Sequence, residues 1–310
     1  MTQFITLDPG FLTTVQDLGR QGCERGGVPV SGAMDRLALM AANALVGNPP
    51  NAAGLEFALS GPVFQPSGGG CLVAASGRGF SLRVGGRAIP LWMAAWVRAG
   101  ESISLQASGS GWGYLAVGGG IDVPLVMGSR ATYLRGGFGG LEGRSLQAGD
   151  RLAVGPGGSY ELAGQELPDE QRPAYSDQPT LDVILGPQER AFSEAGLAAF
   201  LGEEYTLTNA CDRMGYRLAG PRIAALKGAD VFSEGIPLGA VQVPGDGQPI
   251  VLMADRQTTG GYTKIGVVSS ASLPLLAQCP PGAGKVRFRA VSVEEAQQKW
   301  RGMVKELMSR

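Results

Sequence analysis

Residues 71–97, CLVAASGRGFSLRVGGRAIPLWMAAWV, contain three apolar segments separated by glycine. The segments 71–75, 80–84 and 89–97 are rich in branched and aromatic residues, which favour β-strands. The same succession of short apolar segments and turn-forming residues extends from 55 to 154. Fifty glycines and 20 prolines in 310 residues are interleaved with the apolar residues. This pattern predicts a closed or nearly closed β structure made of many short strands.

The overall composition limits the class of protein. A length of 310 residues is typical of about two domains, and 44% hydrophobic residues are sufficient for a sizeable core. The 26 basic and 27 acidic residues nearly cancel, which argues against a nucleic-acid partner. The longest apolar run, 91–97, is far shorter than the ~20 residues that cross a bilayer. We therefore expect a cytoplasmic protein without a membrane partner.

The chain contains no histidine, so the usual neutral-pH general base and the commonest metal ligand are missing. Its chemistry has to come from carboxylates, Lys, Tyr, Cys or backbone amides. Cys23, Cys71, Cys211 and Cys279 are far apart in the sequence, and this spacing predicts neither a zinc site nor disulfides. We expect small buried thiols and no metal site.

The segment 155–180 is rich in Gly, Pro and polar residues and predicts an interdomain linker. The predicted domains are 1–165, a β domain with one helix near 34–45, and 166–310, a second β domain. Helices are predicted near 189–201 and after Ser272, and Ser292 with Glu295 predicts a capping box for a C-terminal amphipathic helix. The fold class is mainly β, with a few short helices.

The strongest candidate for chemistry is 255–264, DRQTTGGYTK, directly after the apolar strand 250–254. Glycines allow backbone N–H groups to converge on an anion or a developing oxyanion. Asp255 is a candidate base, and Lys264 a candidate electrophile or phosphate partner. The alternative is a tight structural loop in which Asp255 accepts backbone N–H groups and threonines cap turns.

Residues 212–217, DRMGYR, place two arginines and a phenol on one short segment. Arginine forks suit carboxylate or phosphate, whereas an alternating strand with Arg213 paired to a nearby acid is the structural alternative. Glu234 and Gln242 add a further carboxylate and amide.

The N-terminal segments 13–20, TTVQDLGR, and 27–35, GVPVSGAMD, lead into the first helix. Ser31 and the free N–H groups at that helix start form a candidate anion site, with simple capping as the alternative. Gly282–Lys285 lacks the spacing and the Ser or Thr of a P-loop. None of the five lysines lies in a Met-Lys-Met setting, so we expect no biotin on this chain.

Together these segments, with 242–244 (QVP), 247–250 (GQPI) and 257–262 (QTTGGY), closely resemble the biotin-dependent carboxyltransferase family. Within it, the resemblance is closest to the C subunits of bacterial 5-oxoprolinases, also called allophanate hydrolase subunit 2 or Kip-type proteins. The resemblance implies two cyclophilin-like β-barrel domains and partner proteins, the B and A subunits of the 5-oxoprolinase complex. It implies ATP-dependent opening of the 5-oxoproline lactam to glutamate, with ATP used by the complex and not clearly bound by this chain.

Two other functions are compatible with the resemblance. One is a carboxyltransferase acting on urea or a similar amide with a separate biotin carrier, and the other is a non-catalytic regulator that captures a homologue of the B subunit. The residues expected to act in catalysis are Asp255, Glu234, Tyr262 and Lys264. The residues expected to bind substrate are Arg213, Tyr216, Arg217, Gln242, Gln257, Thr258, Thr259, Gly260, Gly261, Gln16, Asp17, Arg20, Ser31, Met34 and Asp35.

Overall fold

The computed structural model describes residues 2–186, 188–226 and 228–308. These form two compact units: the first takes 2–21, 31–172 and 306–308, and the second takes 22–30 and the described residues of 173–305. The chain therefore passes from the first unit to the second between 172 and 173, whereas the sequence predicted a domain boundary between 165 and 166. Gly164 and Leu167 donate their N–H groups to the carbonyls of Ala94 and Trp92, each at 2.8 Å, and this pairing keeps them in the first unit.

The first unit is built from β-strands and one α-helix. Its hairpin turn at Gly85 and Gly86 has positive φ at both residues, 54° and 82°, and connects Val84 directly to its cross-strand partner Arg87. Two residues of positive φ match the twist of the flanking strands. The strands are β1 (Gln3–Asp8), β2 (Leu12–Gln16), β3 (Gly54–Ala58), β4 (Val63–Ser67), β5 (Cys71–Gly77), β6 (Phe80–Val84), β7 (Arg87–Ile89), β8 (Ala94–Val97), β9 (Ile103–Ala107), β10 (Trp112–Val117), β11 (Ile121–Asp122) and β12 (Arg151–Val154).

Two sheets enclose the core of the first unit. One has the order β11-β12-β1-β4-β9-β6-β7 and the other β2-β3-β10-β5-β8. Phe4 and Phe64 from the first sheet belong to the same buried cluster as Leu55, Phe57 and Val73 from the second. The two sheets therefore share one apolar interior, as the alternating sequence pattern requires.

Helix α1 (Arg36–Leu45) packs on the other face of the five-stranded sheet. Ala42 and Leu45 on the helix contact a cluster that contains Leu72 and Ala116 of the sheet. The helix predicted near 34–45 is confirmed, and its start is fixed by Asp35, whose carboxylate accepts the Ala38 N–H at 2.9 Å.

The second unit contains a closed barrel with the strand order β13-β20-β17-β18-β15-β14-β21. A separate two-stranded sheet, here called the ribbon, is formed by β16 and β19. The predicted hairpin around Pro244–Gly247 is confirmed, because Val241 pairs with Val251 across it. The strands are β13 (Thr180–Leu185), β14 (Tyr205–Cys211), β15 (Gly215–Ala219), β16 (Asp230–Gly235), β17 (Ala240–Gln242), β18 (Ile250–Leu252), β19 (Thr259–Tyr262), β20 (Lys264–Val268) and β21 (Lys285–Ala290).

Three α-helices accompany the barrel: α2 (Glu194–Gly202), α3 (Leu273–Ala277) and α4 (Val293–Met308). Helix α2 begins later than predicted because Ser193 is its N-cap, and Glu189–Ala191 forms a separate 3-10 turn. The predicted capping box of α4 is confirmed, since Ser292 N–H donates to Glu295 Oε2 at 2.8 Å and Glu295 N–H donates to Ser292 Oγ at 3.1 Å.

The predicted mainly β architecture is confirmed. Of the two barrels that the resemblance implies, the second unit contains a closed one, and the strands of the first unit form two sheets. In the described part of the chain, no helix combines the length and the apolar character needed to cross a membrane.

Candidate functional site

The loop after β18 is organised by a buried ion pair. Arg213 Nε donates to Asp255 Oδ2 at 2.8 Å, and Arg213 Nη2 donates to Asp255 Oδ1 at 3.1 Å. The Asp255 N–H also donates to the Arg213 carbonyl at 2.7 Å. The Asp255 carboxylate, predicted to act as a base, is thus bound to Arg213, and the Arg213 guanidinium, predicted to bind substrate, is bound to Asp255. This arrangement argues against Asp255 as a general base and against the Arg213 fork as a substrate-carboxylate holder, and it favours a structural anchor.

The buried Arg256 side chain connects the same loop to Ile236. Its Nε donates to the Ile236 carbonyl at 3.0 Å, and the Ile236 N–H donates to the Thr258 carbonyl at 3.0 Å. The side chain is buried. Position 256, to which the sequence assigned no role, thus ties the loop to the end of the ribbon.

Gly260 and Gly261 lie in strand β19 and not in a loop. Gly260 pairs with Glu234 across the ribbon. A Cβ at Gly260 would lie 2.7 Å from Gln242 Nε2, and one at Gly261 would lie 3.1 Å from the Val231 carbonyl oxygen. Glycine at these positions allows close approach of neighbouring groups, and the predicted convergence of their N–H groups on an oxyanion is not what the strand provides.

Gln242 and Gln257 form an amide pair beside Gly260. Gln257 Nε2 donates to Gln242 Oε1 at 3.5 Å, and Gln242 is 2% exposed. These two predicted binding residues are therefore brought together by the barrel and the loop.

Glu234 and Lys264 form an ion pair in which Gln188 takes part. Lys264 Nζ and Gln188 Nε2 both donate to Glu234 Oε1, and the Lys264 N–H donates to Gln188 Oε1 at 2.8 Å. The hydrogen bond from Lys264 lowers the pKa of Glu234, so this carboxyl group stays ionised at neutral pH. Gln188 was missed in the sequence because it follows a strand with no recognisable motif.

Thr258, Thr259 and Tyr262 lie at the more open side of this region. The Tyr262 side chain is 43% exposed, and Tyr262 pairs with Asp230 in the ribbon. Thr259 is exposed and pairs with Gly235. These hydroxyl groups are accessible to a ligand, in contrast to the buried pair described above.

Tyr216 and Arg217 do not join this group of residues. Tyr216 is buried and donates its hydroxyl proton to the Ala277 carbonyl at 3.0 Å. Arg217 is exposed on the opposite face of β15, because neighbouring residues of a strand point to opposite sides. The structure therefore does not bring these two side chains together with Arg213 around one ligand position.

In the first unit, Asp17 and Arg20 hold a loop. Asp17 Oδ1 accepts from the Gly19 N–H and from Ser129 Oγ, each at 2.7 Å, and Oδ2 accepts from the Arg130 N–H at 2.6 Å. Arg20 donates to the Ala131 carbonyl and lies 5.0 Å from the Phe138 ring centroid. These buried contacts tie both residues to the loop 129–131.

Gln16 supports the same loop from strand β2. Its Nε2 donates to Thr14 Oγ1 and to the Thr132 carbonyl, each at 3.1 Å. Gln16 is buried, so the predicted binding role would require a ligand that reaches the interior of this unit.

The predicted anion site at the start of α1 is already filled by carboxylates. Asp35 caps the helix, and Glu56 Oε2 accepts the Met34 N–H at 2.7 Å. Ser31 is buried with φ of 55°, in the left-handed region. A second negative group would be repelled there, so the capping alternative is the one that fits.

Glu56 is a buried carboxylate that the sequence interpretation missed. It accepts the Tyr114 hydroxyl proton at 2.8 Å, and the Tyr114 oxygen accepts the Asp35 N–H at 2.7 Å. Burial, followed by the charge of Glu56, raises the pKa of Tyr114 well above its usual range. A charged residue in the middle of the apolar strand β3 was the available signal.

The arrangement of the Cys, Asp and Glu side chains bears on metal binding. In the part of the chain that the structure describes, no three Cys, Asp or Glu side chains gather into a group that could hold a metal ion.

Residues 282–285 lead into strand β21, and Lys285 Nζ lies 2.7 Å from Glu204 Oε1. This segment does not fit a phosphate cradle, which requires a helix N-terminus or a nest of free N–H groups. Burial also raises the pKa of Cys71 to about 12, which leaves a neutral thiol.

Comparisons with known proteins give one consistent family. The family model described as carboxyltransferase domain, subdomain A and B, matches residues 26–290. The chain is 39% identical to the C subunit of 5-oxoprolinase from Escherichia coli (strain K12), over 93% of this chain and 91% of that protein. It is 32% identical to urea amidolyase of Lachancea kluyveri, over 95% of this chain but only 17% of that protein.

Solved structures agree with the sequence comparisons. The crystal structure of the K. lactis urea amidolyase matches 99% of this chain and 20% of that one, with a TM-score of 0.93 and 30% identity. The crystal structure of the Kluyveromyces lactis urea carboxylase matches 99% of this chain and 29% of that one, with a TM-score of 0.92 and 30% identity.

Proposed function

The chain belongs to the carboxyltransferase-domain family, and from this premise we propose that it is a subunit of an ATP-dependent 5-oxoprolinase. The observation that carries the proposal is the 39% identity to the C subunit of the Escherichia coli 5-oxoprolinase, which extends over 93% of this chain and 91% of that protein. In the urea amidolyase relative the matching region is only 17% of a much longer protein. The proposed partners are the B and A subunits of the complex, and the chain is proposed to be inactive alone.

The proposed reaction is the hydrolysis of the lactam of 5-oxoproline to glutamate, coupled to conversion of ATP to ADP and phosphate. A lactam is a poor electrophile, and phosphorylation of its oxygen makes the carbonyl carbon open to attack by water. The C–N bond then breaks, the nitrogen takes a proton, and the former carbonyl carbon is left as an acyl phosphate. A second water molecule cleaves this acyl phosphate, which releases phosphate and leaves the side-chain carboxylate. Because residues 282–285 do not fit a phosphate cradle, we assign ATP binding to another subunit.

The side chains of the second unit suit recognition of the lactam more than proton transfer. Glu234 is held ionised by Lys264, and its Oε2 takes no part in the bonds to Lys264 and Gln188. That oxygen can orient a water molecule. Tyr262 and Thr259 can bind the polar edge of the substrate. Lys264 supplies a positive charge that is screened by its partner.

A second candidate function is carboxyl transfer to urea or a similar amide, with biotin on a separate carrier. It is favoured by the TM-scores of 0.93 and 0.92 to the urea amidolyase and urea carboxylase structures over 99% of the chain. Both functions require recognition of an uncharged amide group on a small molecule.

The test is reconstitution with the partner subunits. Co-expression with the B and A subunits, followed by purification of the complex, should give glutamate and ADP from 5-oxoproline and ATP. The complex without this chain should give neither product. Carboxybiotin turnover stimulated by urea, with no glutamate release, would instead support the second function. Capture of the B subunit with no turnover of either amide would contradict both and point to a regulator.

A further inference from the structure

Gln242 is a buried amide with an unused hydrogen-bond donor. It ends strand β17, is 2% exposed, and accepts from Gln257 Nε2 at 3.5 Å through its Oε1. Among the residues that the structure describes, Gln242 Nε2 has no acceptor, although this atom is shielded from solvent. Buried amide groups in folded proteins normally have partners, because an unmade hydrogen bond in the interior destabilises the fold.

The position of this amide is strongly constrained. Gln242 pairs with Ile250 of β18 and with Lys264 of β20, so its backbone is held on both sides. Its Nε2 lies against Gly260, where an added Cβ would approach to 2.7 Å. The same Cβ would lie 3.2 Å from Ile236 Cδ1. A donor held in this way loses little further freedom when it binds an acceptor.

The charged residues of the second unit indicate which acceptor fits. Lys264 is paired with Glu234, and Arg213 is paired with Asp255. A carboxylate bound at Gln242 would therefore meet cations that are already neutralised by acids, whereas a neutral carbonyl oxygen needs only the amide donor. The local chemistry is that of a site for an uncharged amide carbonyl.

We propose that Gln242 Nε2 donates to the carbonyl oxygen of the amide substrate and is the group that selects amides over rings of the same size without a carbonyl. This inference rests on the proposed function, because it names the specificity group of the same site. A site with a buried donor strongly rejects analogues that leave this donor unpaired. A side chain at position 260 would then displace the amide from this position.

The experiment uses the assembled complex with Gln242→Met, which keeps the volume and removes the polar atoms. We expect kcat/KM for 5-oxoproline to fall about tenfold, mostly through KM, as for loss of one neutral hydrogen bond. The affinity of cyclopentanecarboxylate, measured as a competitive inhibitor, should not change, because its ring has no carbonyl group. The melting temperature should stay the same or rise, since the variant no longer buries an unpaired donor. A purely structural Gln242 predicts the opposite: a lower melting temperature and equal losses for both ligands.

Two glycine variants provide a matched comparison. Gly260→Ala places a methyl group against the amide and should reproduce the selective loss for 5-oxoproline. Gly245→Ala is the control, because no atom lies within 4 Å of the added Cβ and the residue is exposed. Unchanged discrimination in Gly260→Ala would overturn the proposed position of the amide.

Failure of the proposed function can be recognised separately. If the wild-type complex turns over urea and not 5-oxoproline, the 5-oxoprolinase proposal fails, and a tenfold loss for urea in Gln242→Met still supports the role of Gln242. If the complex turns over neither amide, the readout is protection against thermal unfolding by 5-oxoproline or urea. Protection of the wild type but not of Gln242→Met supports the inference, and equal protection, or none, overturns it.

Discussion

Replacing Asp255 with alanine leaves the Arg213 guanidinium buried without the carboxylate that now accepts two of its hydrogen bonds. These bonds are 2.8 and 3.1 Å long, and the side chains of Arg213 and Asp255 are 8% and 7% exposed. Removal of one partner from a buried pair costs about 3–5 kcal/mol. For a domain of this size, about 2–4 °C of melting temperature are lost for each kcal/mol, so the second unit should melt roughly 6–20 °C lower.

The double variant Arg213→Met with Asp255→Leu separates a structural pair from a catalytic one. It removes both charges together, so most of the stability lost in Asp255→Ala should return. The assay is thermal and denaturant unfolding of the purified chain, followed by reconstitution with the partner subunits. If Asp255→Ala melts like the wild type while the complex loses all turnover, Asp255 acts in chemistry and the assignment as an anchor is refuted.

Two further predictions concern stability. The pKa of Asp182 is lowered in the fold, because the hydrogen bonds from Lys299 and Arg289 outweigh the burial that by itself raises it. The resulting stabilisation is present above the unfolded pKa of about 3.9 and is lost as the pH falls through the lower folded value. Acid unfolding of Asp182→Asn should therefore show a smaller loss of stability between pH 6 and pH 3 than the wild type, and an equal loss would contradict the ion pairs. Gly113→Ala places a Cβ 2.1 Å from Phe57 Cε2 and should cost about 1–3 kcal/mol in denaturant unfolding, whereas Gly109→Ala, whose nearest atom is 3.6 Å away, should be neutral. Equal stability of these two glycine variants would show that the Phe57 ring moves aside freely.

Local patterns in the sequence were sufficient for much of the fold. Strand β6 is recognisable because its buried and exposed residues alternate strictly, and the start of α4 is recognisable because Ser292 and Glu295 satisfy each other's N–H groups. Both signals depend on residues that are at most a few positions apart. The boundary between the units was less accessible, because 164–167 are fixed by pairing with residues about 70 positions earlier.

The sequence singled out several residues of the region around the Arg213–Asp255 pair but not the contacts that they make. Arg213 and Asp255 are 42 positions apart, and only the register of β15 with β18 brings them together. Gly260 is a residue type common in turns but lies in a strand, where it pairs with Glu234 and the Gln242 amide packs against it. Gln188 and Glu56 lack local motifs, and their contacts come from pairing across the barrel and across the sheet. Such contacts depend on the tertiary fold and cannot be derived from spacing along the chain.

The recognition of a small amide by the second unit is tested most directly by a crystal structure of the assembled complex with bound 5-oxoproline. The ring carbonyl oxygen should lie about 2.7–3.2 Å from Gln242 Nε2, with Asp255 still paired to Arg213. A ligand bound to the Arg213 guanidinium in place of Asp255, or bound with no contact to Gln242, would contradict the account.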